Sequence, residues 1–514
     1  MTKKENIKLE FFNISEKKEI LILCAIITLG LIIRLSFLNY ELPLTLDAEG
    51  YFWYAIDMKI LGHIPDYPIS NNGWPIFLSM FFGLVDSNNP LDYMFLQRIS
   101  TISLSLGSIV TIFFLCKRFF SSSISLVGAL IFAIEPRIIQ NSISGLAEPL
   151  NIFLISLALL FLINKKFQYW SFVVIGLSTL VRSESIFLFM GFLLITFISQ
   201  KKNRKLFYKL IIFSLIFFVI ISPMLYLRSN TMGSDGVFSR ISAGVNVINY
   251  ENKNLETYEQ YSYFSNGMMN YFKLIGWFLA PIFLLFIPIA IFKIFKDKKS
   301  EFKNLLVLFM MYQPPIIYAF LRTIEETKYF LPTIPILIIL CLFAINFLSV
   351  KIRYKKLFYF SLIGSFLISS FILLYMISDN PEIEGESLEI AKYVTKNSMK
   401  VNALEPVSKY LTVTHLLMIE NFPILGTDMP PTAPIVIVEN QNSWENYIDY
   451  AVKDGVTHII VDNNKKNPKF LTDIFYNEDK FLYLKKVFDS NELRYKYKVK
   501  IFEIDMEKYF LSKE

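Results

Sequence analysis

Long apolar stretches recur between residues 20 and 377, separated by short connections that carry most of the charge. A helix of about 20 mostly apolar residues is long enough to cross the hydrocarbon core of a bilayer. Of the 514 residues 54% are hydrophobic and 18% are charged, a more apolar balance than soluble domains have. The stretches predict a polytopic α-helical membrane protein with about eleven transmembrane helices. The predicted spans are 20–38, 98–116, 121–139, 148–164, 168–181, 184–200, 206–227, 271–295, 303–321, 329–350 and 357–377.

The segment 74–85 is apolar but too short to span, and it predicts a helix lying in the membrane interface. The net charge of +7 is mild for this length, and the Lys and Arg residues are scattered between apolar runs. Nucleic-acid binding needs a concentrated basic face. We therefore expect membrane lipid, and no nucleic acid, as a partner.

The connections predict the orientation of the chain. Every second connection is basic, and basic connections lie on the cytoplasmic side of a membrane. The N-terminus is therefore expected in the cytoplasm and the segment after the last span outside it. We expect a multi-pass protein of the cell membrane, with a membrane domain over 1–379 and an extracytoplasmic domain over 380–514.

Residues 380–514 have an ordinary composition and predict a small α/β domain, because strand-like and helix-like segments alternate there. The predicted strands are 434–440, 457–462, 481–489 and 497–504, and the predicted helices are 386–397, 407–419, 443–453 and 468–477. The domain carries His415 and His458 without a phosphate-binding loop or a nucleophile motif. It is predicted to bind or pack, not to catalyse.

The outer connections hold the residues that could perform chemistry. Asp47 and Glu49 follow the first span and precede an aromatic run that begins at Tyr51. Two carboxylates near a bilayer surface can accept a proton, orient a hydroxyl or bind a divalent cation. The alternative is a solvated loop beside an interfacial aromatic belt.

Further charges stand at the ends of later spans. Glu148 begins an apolar run, where it is either functional or an ordinary helix start followed by Pro149. Arg182 and Glu184 separate two apolar runs, and their alternative is a tight turn with paired charges. Membrane-end anchoring is the alternative for Lys328, and the alternative for the Glu135-Pro136-Arg137 segment is a simple loop.

In their order along the chain these features resemble the GT-C glycosyltransferases, and most of all the protein O-mannosyltransferases and aminoarabinose transferases. Two features depart from the family pattern: Ala48 separates the two acids of the first loop, and Lys328 stands where members commonly have Arg. The resemblance covers roughly 20–350. The motifs that carry it are the acids Asp47 and Glu49, an interfacial helix near Trp74-Pro75, QRIS (97–100), KRF (117–119), Glu148 in SGLAEPLNIFL, Arg182-Ser183-Glu184 and Lys328-Tyr329-Phe330-Leu331-Pro332.

The resemblance implies transfer of a sugar from a polyprenyl-phosphate donor to a hydroxyl of a protein, glycan or lipid acceptor, with inversion at the anomeric carbon. Asp47 would be the base. Glu49 and Glu148 would orient hydroxyls or complete a metal site, with Asp47 and Glu49 as ligands if a divalent cation takes part. Arg182 and Lys328 would bind the lipid phosphate. The further substrate contacts that it implies are Tyr51, Arg137, Glu184 and Tyr329.

Two other classes of protein share some of these features. A secondary transporter also has many spans and charges, but it would be expected to show a repeat and broken helices at the bilayer midplane. A non-catalytic sensor with an outer α/β domain would need no acids in the first loop. Transfer from a lipid-linked sugar distinguishes the enzyme from both.

Overall fold

The structure is a computed structural model. It describes residues 15–69, 71–200, 205–254, 265–273, 281–296, 302–321, 326–378, 380–402, 416, 432, 435–436, 438, 443–464 and 467–511. Its α-helices are α1 (Glu16–Ser36), α2 (Asp47–Leu61), α3 (Gly73–Phe82), α4 (Pro90–Lys117), α5 (Ser122–Ala133), α6 (Pro136–Ile143), α7 (Glu148–Ile163), α8 (Gln168–Val181), α9 (Ile186–Gln200), α10 (Leu206–Met232), α11 (Phe238–Asn254), α12 (Pro281–Lys296), α13 (Lys303–Met311), α14 (Gln313–Leu321), α15 (Ile334–Ser349), α16 (Lys355–Ile377), α17 (Pro381–Lys396), α18 (Trp444–Lys453), α19 (Lys469–Tyr476) and α20 (Met506–Leu511).

Within the described ranges, seven helical segments are long and apolar enough to cross a membrane, or eight if the bent pair α5–α6 counts as one span. The protein is an integral membrane protein. The predicted fold class, a polytopic helical membrane protein with a C-terminal α/β domain, is confirmed. The number eleven stays a prediction: α7 and α8 have only 16 and 14 residues, and part of the predicted span 271–295 lies outside the described residues.

Two segments for which the sequence left a loop as the alternative are helical. The segment 46–55 contributes most of α2, because its aromatic run is buried: Phe52, Trp53 and Tyr54 are all at most 3% exposed. The Glu135–Arg137 segment begins α6. Pro136 occupies the first turn of that helix, and Glu135 Oε2 accepts a hydrogen bond from the Ile138 amide (2.9 Å), which is an N-terminal cap.

The described chain divides into two compact units, neither continuous in sequence. The first comprises Met1–Leu38, Asp66–Leu78 and Gln97–Ser378, and the second comprises Asn39–Pro65, Ser79–Leu96 and Asp379–Glu514. Helices α7, α8, α9 and α10 pack side by side in the first unit. Aromatic stacking joins them: the ring centroids of Phe172 and Phe213 are 4.3 Å apart, and those of Phe189 and Phe217 are 3.7 Å apart.

The C-terminal part of the second unit is a five-stranded sheet in the order β2-β1-β3-β5-β4. Strands β1, β2 and β3 are parallel, whereas β5 is antiparallel to both β3 and β4. Successive residues of a strand face opposite sides: Ile459 packs with α18 and α19, and Ile460 packs with α17. The strands are β1 (Val401–Asn402), β2 (Ile435–Val436), β3 (His458–Asp462), β4 (Leu484–Asp489) and β5 (Val499–Ile504).

This domain corresponds to the α/β pattern in the sequence, with two additions. The predictions did not include the short strand β1 or the last helix, α20. Most of the predicted helix 407–419, including His415, lies outside the described residues. Burial lowers the pKa of His458, and the negative charge of Glu503 offsets only part of this shift. The side chain is therefore neutral at pH 7.

Candidate donor site

Arg182 is the centre of a group of charged side chains at one end of the first unit. It follows α8 and is 5% exposed. Its Nη1 lies 3.1 Å from Oε1 of Glu148, the first residue of α7, which is 1% exposed. Its Nη2 lies 3.5 Å from Oε1 of Glu184, a longer and weaker pairing. A buried guanidinium needs such partners because an unpaired buried charge is costly.

Tyr329 brings a second cation to this group. The guanidinium carbon of Arg182 lies 5.6 Å from the centroid of the Tyr329 ring, and Lys328 Nζ lies 6.0 Å from the same centroid. Lys328 also forms an ion pair with Glu326. Burial raises the pKa of the Tyr329 hydroxyl, while the two cations oppose that rise. The sequence-predicted residues Glu148, Arg182, Glu184, Lys328 and Tyr329 are therefore neighbours.

Hydrogen bonds between helices fix the position of Arg182. Asn151, one turn after Glu148, accepts hydrogen bonds through Oδ1 from Ser178 Oγ (2.6 Å) and from Ser185 Oγ (3.1 Å). The Arg182 amide donates to the Ser178 carbonyl (2.8 Å). Because Ser178 and Ser185 flank Arg182, the turn that carries Arg182 is tied to the beginning of α7.

The segment 71–74 supports the same two elements. Asn71 Oδ1 accepts from the Ser183 amide (3.2 Å), and Trp74 Nε1 donates to the Gly145 carbonyl (3.2 Å) just before Glu148. A Cβ atom on Gly73 would come within 2.7 Å of the Leu180 backbone, so only glycine allows this close approach. The segment thus lies against both the Arg182 turn and the loop that leads to Glu148.

Several of these supporting residues were absent from the sequence predictions. Asn72 Oδ1 accepts a hydrogen bond from Arg228, whose Nη2 also donates to the Ile69 carbonyl (3.0 Å). Tyr312 is buried within electrostatic range of Glu148, Arg182, Glu184 and Tyr329. Only Arg228 among them could have been selected beforehand, because it is the single cation at the end of the long apolar run of α10.

A groove adjoins the group on the side of Glu184. Its empty volume is about 640 Å³. The lining is mostly apolar, but Arg240 adds a cation to it. The principal lining residues are Glu184, Phe187, Arg240, Ile241, Pro315 and Tyr318. A groove of this kind can hold a hydrocarbon chain whose charged end lies near the Arg182 group.

The acids Asp47 and Glu49 belong to the second unit. Asp47 begins α2 and is exposed, and Leu46 before it has a positive φ of 53°, a strained conformation for a leucine. Glu49 is 2% exposed and accepts a hydrogen bond from Trp53 Nε1 (3.3 Å). Tyr51 is buried on the same helix. Of the two acids, Asp47 is the one accessible to a substrate.

A metal ion shared by Asp47 and Glu49 alone does not fit α2. Residues two apart on a helix do not face each other, so their carboxylates do not converge on one ion. In the part of the chain that the structure describes, no group of three or more His, Cys, Asp or Glu side chains is placed to hold a metal ion. No step proposed below uses one.

Arg137 lies on α6, where its Nη1 is 3.3 Å from Gln140 Oε1. Gln140 Nε2 in turn donates to the Ile377 carbonyl (3.1 Å) at the end of α16. The structure therefore gives Arg137 contacts within α6, a helix that is itself attached to α16.

Known proteins resemble this architecture. Residues 77–227 match the family of dolichyl-phosphate-mannose-protein mannosyltransferases. The chain superposes on ArnT from Cupriavidus metallidurans bound to undecaprenyl phosphate with a TM-score of 0.54, at 10% sequence identity and over 95% of this chain and 98% of ArnT. It also superposes on the oligosaccharyltransferase AglB from Archaeoglobus fulgidus, in complex with an inhibitory peptide and a dolichol-phosphate, with a TM-score of 0.51, at 11% identity and over 88% of this chain and 71% of AglB. The chain has the GT-C fold.

The GT-C fold was the expectation from the sequence, and it is confirmed. No curated protein matches the chain in sequence. Since the identities to these two solved structures are only 11% and 10%, the common element is the fold.

Proposed function

We propose that the protein transfers a sugar from a polyprenyl-phosphate donor to an acceptor hydroxyl at the outer face of the membrane, with inversion. The observation that carries this proposal is that a buried guanidinium, Arg182, and a second cation, Lys328, both lie near the ring of Tyr329. An apolar groove adjoins this group. The groove suits the lipid chain, and the cations suit its phosphate. The match of residues 77–227 to the mannosyltransferase family supports the same reaction class.

The phosphate is proposed to bind at Nη2 of Arg182. The Glu148 carboxylate keeps Nη1 at 3.1 Å, while the 3.5 Å contact of Nη2 with Glu184 is long enough to be replaced by a phosphate oxygen. Lys328, whose Nζ lies near the same Tyr329 ring, adds a second positive charge as a point charge. Negative charge that develops on the departing phosphate would then be stabilised by groups already in position.

The acceptor hydroxyl needs a base, and Asp47 is proposed for that role. Its carboxylate is exposed at the first turn of α2, whereas Glu49 is occupied by Trp53. As the hydroxyl oxygen attacks the anomeric carbon, Asp47 takes its proton and the bond from that carbon to the phosphate oxygen breaks. The lipid phosphate leaves with the electron pair, and one direct displacement inverts the anomeric centre.

Incubation of purified protein in lipid vesicles with a radiolabelled polyprenyl-phosphate sugar tests the proposal. We expect loss of sugar from the donor lipid and release of polyprenyl phosphate, with label appearing in a hydroxyl-bearing acceptor. Movement of an intact solute across the vesicle membrane without transfer would instead indicate a transporter. Donor binding with neither transfer nor transport would indicate a sensor.

We also propose the membrane orientation that the basic connections predict: N-terminus in the cytoplasm, 380–514 outside the cell membrane and catalysis within 1–379. Leu482 is 81% exposed in the C-terminal domain, and Lys351 is exposed in a basic connection. In intact cells a membrane-impermeant thiol reagent should label Leu482→Cys but not Lys351→Cys. Labelling of Lys351→Cys alone would show that the membrane orientation is the opposite of the proposed one.

A further inference from the structure

A second cavity lies in the first unit, at the ends of α7, α8 and α9 that are remote from Arg182. Arg182 follows the last residue of α8, whereas Gln168, the first residue of α8, lines this cavity. Fourteen residues of helix separate the two ends by about 20 Å, at 1.5 Å per residue. The cavity is therefore distinct from the candidate donor site.

The lining of the cavity is divided by polarity. Its volume is about 420 Å³, within the range for small-molecule sites, about 300–1000 Å³. Leu159, Leu162, Ile195 and Leu308 supply apolar surface from three different helices. The polar lining residues are Lys165, Gln168, Thr196, Ser199, Gln200 and Asn304.

The polar side is built from side chains that bond to one another. Gln168, 8% exposed, donates through Nε2 to Thr196 Oγ1 and accepts at Oε1 from Gln200 Nε2, both at 3.4 Å. Lys209 Nζ donates to Gln200 Oε1 at 3.1 Å. The two contacts of Gln168 are long for hydrogen bonds, so these amides can turn towards a ligand at small cost.

The charge of the lining has one sign. Lys165 supplies a cation, and the lining contains no aspartate or glutamate among the residues that the structure describes. The N-terminus of α8, which begins at Gln168, adds the positive end of a helix dipole. An anionic group is therefore favoured on the polar side, and hydrocarbon on the apolar side.

We propose that this cavity binds an anionic phospholipid, with the phosphate near Lys165 and Gln168 and the beginning of an acyl chain along Leu159 and Leu162. The site does not depend on the proposed transfer reaction. A phospholipid is the ligand because the cavity joins cationic and apolar surfaces at the ends of the apolar helices α7, α8 and α9. A soluble phosphate compound would leave the apolar surface uncovered.

Binding of short-chain lipids to the purified full-length protein in an uncharged detergent tests this site. The probes are radiolabelled dihexanoyl phosphatidylglycerol, dihexanoyl phosphatidylcholine and glycerol 3-phosphate. Lys166 provides a matched control, since it is adjacent to Lys165 but its Nζ lies 5.8 Å from the centroid of the Phe167 ring and it does not line the cavity. Leu162→Trp fills the apolar side.

We expect phosphatidylglycerol to bind more tightly than either other probe. Lys165→Ala should weaken its binding about fivefold, the effect of one basic residue on an anionic lipid surface, while Lys166→Ala and Lys165→Arg should stay within about twofold of the unsubstituted protein. Leu162→Trp should also weaken it. Equal affinity for the two lipids, or equal effects of Lys165→Ala and Lys166→Ala, would overturn the proposal. Glycerol 3-phosphate binding as tightly as the lipid, and insensitive to Leu162→Trp, would assign the cavity to a soluble phosphate instead.

Discussion

Arg182 and Lys328 lie against the same aromatic ring, that of Tyr329, although one follows α8 and the other precedes α15. If Arg182 were only a turn residue and Lys328 only a membrane-end anchor, nothing would require their side chains to lie near the same ring. The guanidinium carbon of Arg182 lies 5.6 Å and Lys328 Nζ 6.0 Å from the centroid of that ring, and this placement supports the proposal that both side chains bind one anion. In the proposed binding mode an anion competes with Glu184 for Arg182, whose Nη2 lies 3.5 Å from Glu184 Oε1.

Replacing either cation should weaken donor binding. Arg182→Ala should cost about 2–5 kcal/mol of donor binding free energy, as truncating one member of a buried charged pair does. Arg182→Lys should restore only part of this, since an ammonium cannot reproduce the guanidinium fork, whereas Lys328→Arg should be tolerated better than Lys328→Ala. The Kd of a polyprenyl-phosphate sugar, measured with purified protein, reports each effect.

Arg353→Ala is the matched control for these variants. Arg353 also lies over an aromatic ring, with its guanidinium carbon 5.5 Å from the Tyr354 centroid, but it is exposed in a basic connection. Its donor Kd should equal that of the unsubstituted protein. If Arg182→Ala and Lys328→Ala behave like Arg353→Ala, the two cations do not bind the phosphate.

The two acids that contact Arg182 should respond differently to neutralisation. Glu148→Gln leaves a buried guanidinium without its closest carboxylate, and breaking such a pair costs about 3–5 kcal/mol. Thermal stability and donor affinity should therefore both fall. Glu184→Gln removes only the 3.5 Å contact, and donor affinity should be unchanged or higher because the phosphate no longer competes for Nη2. A loss of donor affinity in Glu184→Gln as large as in Glu148→Gln would contradict the proposed exchange.

The sequence predicted the membrane domain well where apolar length decided the outcome. The predicted span 168–181 coincides with α8, and 206–227 lies within α10. The pattern failed at 46–55, where a loop was left as the alternative because its two acids resemble a solvated segment. Burial of the aromatic side chains that follow them decides in favour of helix α2, and burial by tertiary packing is not visible in a local pattern.

The candidate site likewise contains residues that could be selected from the sequence and residues that could not. The charged residues Glu148, Arg182 and Lys328 could be selected from the sequence because each stands in a short motif that resembles the GT-C pattern. The residues that hold them in position could not be selected from the sequence. Asn71 and Asn151 are ordinary polar residues whose importance comes only from the elements that they join, through Ser183 and Ser178.

Asp47→Asn tests the proposed base. The substitution keeps the shape of the side chain but removes its ability to accept the proton, so turnover should fall by about two to four orders of magnitude while donor Kd stays the same. Glu41→Gln, which neutralises another exposed acid in the segment before α2, should retain turnover. Single-turnover transfer at saturating donor measures the chemical step. Near-normal turnover in Asp47→Asn would exclude Asp47 as the base.

Gly73→Ala should disturb the site without removing any charge from it. The added Cβ would lie 2.7 Å from the carbonyl carbon and oxygen of Leu180, and backbone atoms cannot move aside as a flexible side chain can. Overpacking of this kind costs about 1–3 kcal/mol, and here it pushes segment 71–74 away from the Arg182 turn. We expect a lower melting temperature and a higher donor Kd, with the Asp47-dependent step unaffected at saturating donor.

Gly364→Ala is the matched control, because a Cβ there meets nothing within 4 Å and alanine favours the helix. Its melting temperature should be equal or slightly higher. Unchanged stability and donor affinity in Gly73→Ala would show that the close approach of Gly73 to α8 does not hold Arg182 in place.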